Sequence, residues 1–116
     1  MADPTALLAA ARAHFDNMRG KSIEVPEWGA EGAPAVVKFD PPTLRMRQNI
    51  TARSGGKRSR EMAVTVILCA RDAEGKRLFQ DDAPTLAALE NEVDPKVVAR
   101  LYAEIIGLTS EADLGN

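Results

Sequence analysis

From Met62 to Ala70 only Thr65 interrupts an apolar run, so this stretch must be buried around most of its circumference. The rest of a chain this small has to pack on it. Val64-Thr65-Val66-Ile67 carries strand-favouring side chains, and a strand returning through Leu78-Phe79 is the alternative. The run lacks period-two alternation, however, and extends back through Arg58–Glu61. That length favours a helix over 58–71. The charged, glycine-containing segment Asp72-Ala73-Glu74-Gly75-Lys76 then reverses the chain and sends Leu78-Phe79 back towards the core.

The flanking patterns are clearer. Leu7, Leu8, Ala11, Phe15 and Met18 recur at helical spacing after Asp3-Pro4 and before Gly20, predicting an amphipathic helix over 4–19. Ile23 and Val25 alternate with polar neighbours, as do Val37 and Phe39, which predicts a hairpin over 21–40 with Pro26 at a strand end or on an edge. Asp40-Pro41-Pro42-Thr43 opens a helix over 41–53 with Leu44, Met46 and Ile50 on its apolar face. A short helix over 83–92 carries Leu86, Leu89 and then Val93. Val97, Val98, Leu101, Tyr102, Ile105 and Ile106 form one continuous face of a helix over 95–106, started by Asp94-Pro95 and stopped by Gly107. The expected fold is α+β: one small, mostly helical domain over 1–116 with one β-hairpin. It has a helical region at 41–107 and a frayed tail at 108–116.

Composition narrows the function classes. Fifteen basic and seventeen acidic residues give a net charge near −2, which points to neither a polyanion nor a membrane surface as partner. No apolar run approaches the ~20 residues of a membrane span. Asp3 stands where a secretory leader would be basic, so a cytoplasmic chain is expected. Cys69, the only cysteine, lies in the most apolar run and reads as a small core residue. His14, the only histidine, sits beside Phe15 with no ligand set around it. One histidine and one buried thiol exclude His-based triads, Cys/His metal clusters and a CxxC redox pair. Ser54-Gly55-Gly56-Lys57 lacks the first glycine and spacing of a phosphate loop. No enzyme activity, metal or cofactor is expected.

Two features remain as candidate contact sites. Trp28, set before Gly29, reads either as packing over the hairpin or as a partner anchor. Arg45, Arg47, Arg53, Lys57, Arg58 and Arg60 form the one strongly biased charge run, with no acidic residue among them. The run has no aromatic interleaving and no helix-turn-helix pattern, so a solvated loop or a patch for an acidic protein partner is preferred over nucleic acid.

Taken in order, Val25-Pro26-Glu27-Trp28-Gly29, the proline-led helix at Asp40-Pro41-Pro42, the segment from Cys69 through Asp72-Ala73-Glu74-Gly75-Lys76-Arg77-Leu78-Phe79, and the last helix ending Ile105-Ile106-Gly107-Leu108-Thr109 resemble the tail assembly chaperones of long-tailed phages and prophages. The resemblance covers roughly residues 22–114 and is sharpest in the VPEWG and DAEGKRLF segments. It implies a non-enzymatic protein of the bacterial host cytoplasm, absent from the mature virion. Such a protein binds the tape-measure protein and tail-tube subunits and self-associates. The alternatives are a small nucleic-acid-binding regulator using the basic segment and a structural tail or connector component.

Overall fold

A computed structural model describes residues 3–107. The elements run α1 (Pro4–Asp16), β1 (Lys21–Ala30), β2 (Ala33–Phe39), α2 (Leu44–Ser54), α3 (Arg58–Cys69), β3 (Ala70–Arg71), α4 (Ala83–Asn91) and α5 (Pro95–Ile106). The protein is a small α+β domain with five helices and a three-stranded antiparallel sheet of order β1-β2-β3 among the described residues. The expected frayed tail at 108–116 lies outside the described residues.

The apolar run is a helix. Every residue of α3 from Ala63 to Cys69 is buried, and α2, α4 and α5 pack around it. Thr65, fully buried, donates from Oγ1 to the Glu61 carbonyl at 2.7 Å, which satisfies the one hydroxyl in the run. α5 contributes Val97, Val98, Leu101, Tyr102 and Ile105 as its buried face. From the sheet come Val25, Val37 and Phe39.

Several helix boundaries differ from the sequence expectation. The first helix stops at Asp16 rather than 19, because Met18 and Arg19 donate to carbonyls three residues back and tighten the turn. The second starts at Leu44 rather than 41. Asp40 and Pro41 each precede a proline and avoid the helical region, and Thr43 accepts from the Met46 N–H as the cap. The third ends at Cys69 rather than 71, since Ala70 turns extended and pairs with Phe39, and Arg71 with Lys38. That pairing adds a third strand to the expected hairpin. The fourth ends at Asn91, one residue early.

The hairpin has an irregular end. Lys21↔Phe39 through Val25↔Ala35 keep one register, but Ala30 faces Ala33, so residues 26–29 stand opposite Pro34 alone. This wide bulge places both prolines harmlessly: Pro26 is on the edge strand, and Pro34 lies where no ladder bond is required of it.

Outside the core, α1 buries no residue. Leu7 and Leu8, on the apolar stripe of this helix, are exposed, and so is Leu44, expected on the apolar face of α2. The connection after α1 is fixed instead by Asp40, which accepts from the Gly20 N–H at 2.8 Å and from Arg19 Nε at 3.3 Å.

Ion pairs tie the outer elements together. Arg100 on α5 forks onto both carboxylate oxygens of Glu27 on β1, at 2.8 and 3.0 Å. This hydrogen bonding holds the Glu27 carboxyl down at about 2, against 4.5 for a free one. A carboxyl depressed in the folded state contributes stability above its unfolded pKa, and that contribution is lost as pH falls through the folded value. Carboxyl NMR titration of the folded protein should place Glu27 near 2, and Arg100→Ala should return it towards 4.5.

Candidate functional site

The reversal after α3 is built by Asp72. Its Oδ1 accepts from the Glu74 and Lys76 N–H groups, both at 2.9 Å, and its own N–H donates to the Lys76 carbonyl at 2.8 Å. Gly75, at φ +83°, occupies the left-handed position that closes the turn. Leu78 then donates to the Ala70 carbonyl, and Arg71 bridges Arg77, so the returning segment is laid back along β3.

This return delivers Phe79 to Trp28. The two rings meet edge to face, 5.8 Å between centroids at 88°, an arrangement in which a positive ring edge points at a negative ring face. Trp28 is half-buried, projected from the bulge of β1. Its ring, with Val36, Leu78, Phe79, Leu89 and Val93, lines an apolar groove of about 440 Å³. Val36 and Leu78 on its walls are exposed, at 43% and 36%. The groove presents no titratable side chain on its lining and has no chemistry beyond apolar contact. It is therefore suited to another apolar surface. Trp28 thus packs on Phe79 and also lines the groove.

Three of the six basic residues are engaged by other side chains. Arg53 forks onto Asp81 at 2.7 and 3.1 Å and Arg77 lies 3.9 Å from the same carboxylate, which fastens the end of α2 to the segment before α4. That contact pushes the Asp81 carboxyl below its ordinary range. Arg60 Nε lies 3.5 Å from Glu90, close enough for attraction but off the line of a hydrogen bond. Arg58 stacks over the Tyr102 ring at 5.5 Å. Arg45, Arg47 and Lys57 are exposed and have no ion pair among the described residues.

Sequence reasoning missed the polar cluster under Arg58. Tyr102 reads as one more apolar position on α5, yet its hydroxyl donates to Glu61 on α3. Burial, and then the Glu61 hydrogen bond and charge, push the phenol above its ordinary value, with Arg58 and Arg47 opposing. Glu61 stands at the start of the apolar run, which is the signal that could have marked it as a partner for something buried. Tyr102→Phe should cost about 1.5–2 kcal/mol in a denaturant melt, the lower part of the range for a hydrogen bond to a charged group, because half-exposed Glu61 regains water.

Cys69 is buried, and desolvation pushes its thiol up to about 11, so it is held as the neutral form. His14 is exposed on α1. Among the described residues no three His, Cys, Asp or Glu side chains converge as a metal site, and no helix is long and apolar enough to cross a membrane. No family model matches the chain, and neither a curated protein nor a solved structure matches it.

Proposed function

We propose that this chain is a non-enzymatic chaperone of phage tail assembly. It acts in the bacterial host cytoplasm, holds the tape-measure protein while tail-tube subunits assemble, and is left out of the finished particle. One observation carries the reading: VPEWG and DAEGKRLF, the segments that bear the resemblance, lie apart in sequence but come together at the Trp28–Phe79 contact and line a single apolar groove. A tape-measure helix exposes long apolar stripes that aggregate when bare, and an apolar groove can cover such a stripe reversibly. Neutralisation of Arg53 and Arg60 by Asp81 and Glu90 weighs against the nucleic-acid reading, which needs the whole run free.

The test is co-expression with the longest helical protein encoded beside it, followed by size-exclusion chromatography. The partner, insoluble alone, should elute with this chain in a large soluble complex. Val36→Glu and Leu78→Glu, which change exposed groove side chains, should lower the co-eluting fraction while leaving the chain folded. A partner that stays insoluble beside a freely eluting chain would remove the mechanism.

A further inference from the structure

Two consecutive side chains hold the bulge that carries Trp28, each through a different element. Residues 26–29 stand opposite Pro34 alone and lack the regular pairing that fixes β1 from Lys21 to Val25. At the far end of this segment Gly29 runs close to the backbone of residues 33–35. Between those limits Trp28 meets Phe79 edge to face. Its neighbour Glu27 is gripped by Arg100 on α5 through two hydrogen bonds of 2.8 and 3.0 Å.

The groove takes its lining from two parts of the fold besides the returning segment. Trp28 and Val36 belong to the hairpin, whereas Leu89 and Val93 belong to α4 and the connection leading into α5. Arg100 stands in the second turn of α5, so its fork onto Glu27 ties the hairpin to the helical part. A planar guanidinium on a carboxylate fixes orientation as well as distance, which a single point contact does not.

We propose that Arg100 and Glu27 are positioning residues for the groove: their fork seats the bulge so that Trp28 lies against Phe79 and the hairpin keeps its spacing from the α4–α5 segment. The proposal rests on the reading of the groove as a binding site for an apolar surface. Both side chains are open to water, Arg100 40% and Glu27 44% exposed, and ion pairs of that kind add little to stability. The fork therefore shows in where Trp28 sits rather than in how firmly the domain resists unfolding.

The experiment compares the wild-type chain with Arg100→Met, which keeps an unbranched apolar stem, with Glu27→Gln, and with the two changes together. It reads nuclear Overhauser contacts between the Trp28 and Phe79 rings, the melting temperature, and affinity for N-phenyl-1-naphthylamine. That probe is apolar and uncharged, and its uptake is followed by energy transfer from the only tryptophan. Each single variant should weaken the ring contacts and lower probe affinity about two- to fivefold, the upper end being what an exposed pair can contribute. Melting should fall by no more than about 8 °C. Because the two residues act through one another, the double variant should match the singles rather than add their losses. Ring contacts or probe affinity left unchanged by a single variant overturn the proposal, as do losses that add in the double variant. A much larger melting loss overturns it too, since the pair would then be a structural tie. A wild type that takes up no probe overturns the groove reading instead, while the ring contacts, which need no ligand, still decide whether the fork positions Trp28. Val36→Glu separates the two, since it should abolish probe uptake and leave Trp28 on Phe79.

Discussion

Ile67→Ala should destabilise the protein by about 2–5 kcal/mol, against a total of about 5–15 kcal/mol for a domain, with small domains at the low end. Ile67 is fully buried on α3, the helix that α2, α4 and α5 all pack against, so a cavity there has rigid walls on several sides and little chance to collapse. At about 4–8 °C per kcal/mol the melting temperature should fall by roughly 8–40 °C. A urea melt followed by circular dichroism should show the midpoint drop with the slope unchanged, as expected when stability alone is altered. Leu44→Ala is the matched control. Its side chain is 89% exposed at the start of α2, so the change should stay within about 0.5 kcal/mol. Equal losses at the two positions would contradict the placement of the core.

Gly29→Ala should be the most damaging single methyl group added to this chain. A Cβ at position 29 would stand 2.2 Å from the Ala33 carbonyl oxygen, 2.6 Å from the Ala35 nitrogen and 2.7 Å from the Pro34 Cα. All three are backbone atoms of the facing strand, so no rotamer change relieves the overlap and the hairpin end must open. Overpacking of this kind costs about 1–3 kcal/mol and sometimes more. Because Trp28 is the neighbouring residue and the only tryptophan, its emission should shift to the red as the ring leaves Phe79, and any function of the groove should go with it. Gly32→Ala separates the causes. Gly32 has φ +78° but open space around it, so alanine there should lower stability by about 1–2 kcal/mol while Trp28 emission stays as in the wild type.

Where apolar period and chain punctuation agree, the sequence predicts the fold closely. The face of α5 from Val97 to Ile105 is buried as its spacing requires, between Asp94-Pro95 and Gly107. The apolar run 62–70 needed length to decide against its β-branched side chains, and burial on all sides decided it for helix. The differences arise where partners distant in sequence set the outcome. Ala70 leaves the helix because Phe39 offers it a strand, and nothing local to residue 70 announces that. Periodicity shows that α1 has an apolar face but not what the face meets. The groove was half legible: Trp28 and Leu78-Phe79 each stand out, while their meeting depends on the Asp72 turn and on a bulge that slides the register after Val25. The charge run misled in the opposite direction. Counting Arg53 and Arg60 as free is natural until Asp81 and Glu90, which follow the core helix, fold back beside them.

The bulge in β1 has a consequence for solubility. A sheet ordinarily advertises unpaired N–H and C=O groups along its outermost strands, and these recruit strands from other chains. In this protein one border is β1, where Pro26 lacks an N–H and the Pro26–Gly29 segment departs from regular spacing, and the other is β3, only two residues long. The regular run of β1 is thereby limited to Lys21–Val25, and β3 is too short to extend the sheet on the other side. In the chaperone role proposed above, a border interrupted in this way would keep the protein from seeding β-assembly of its partner.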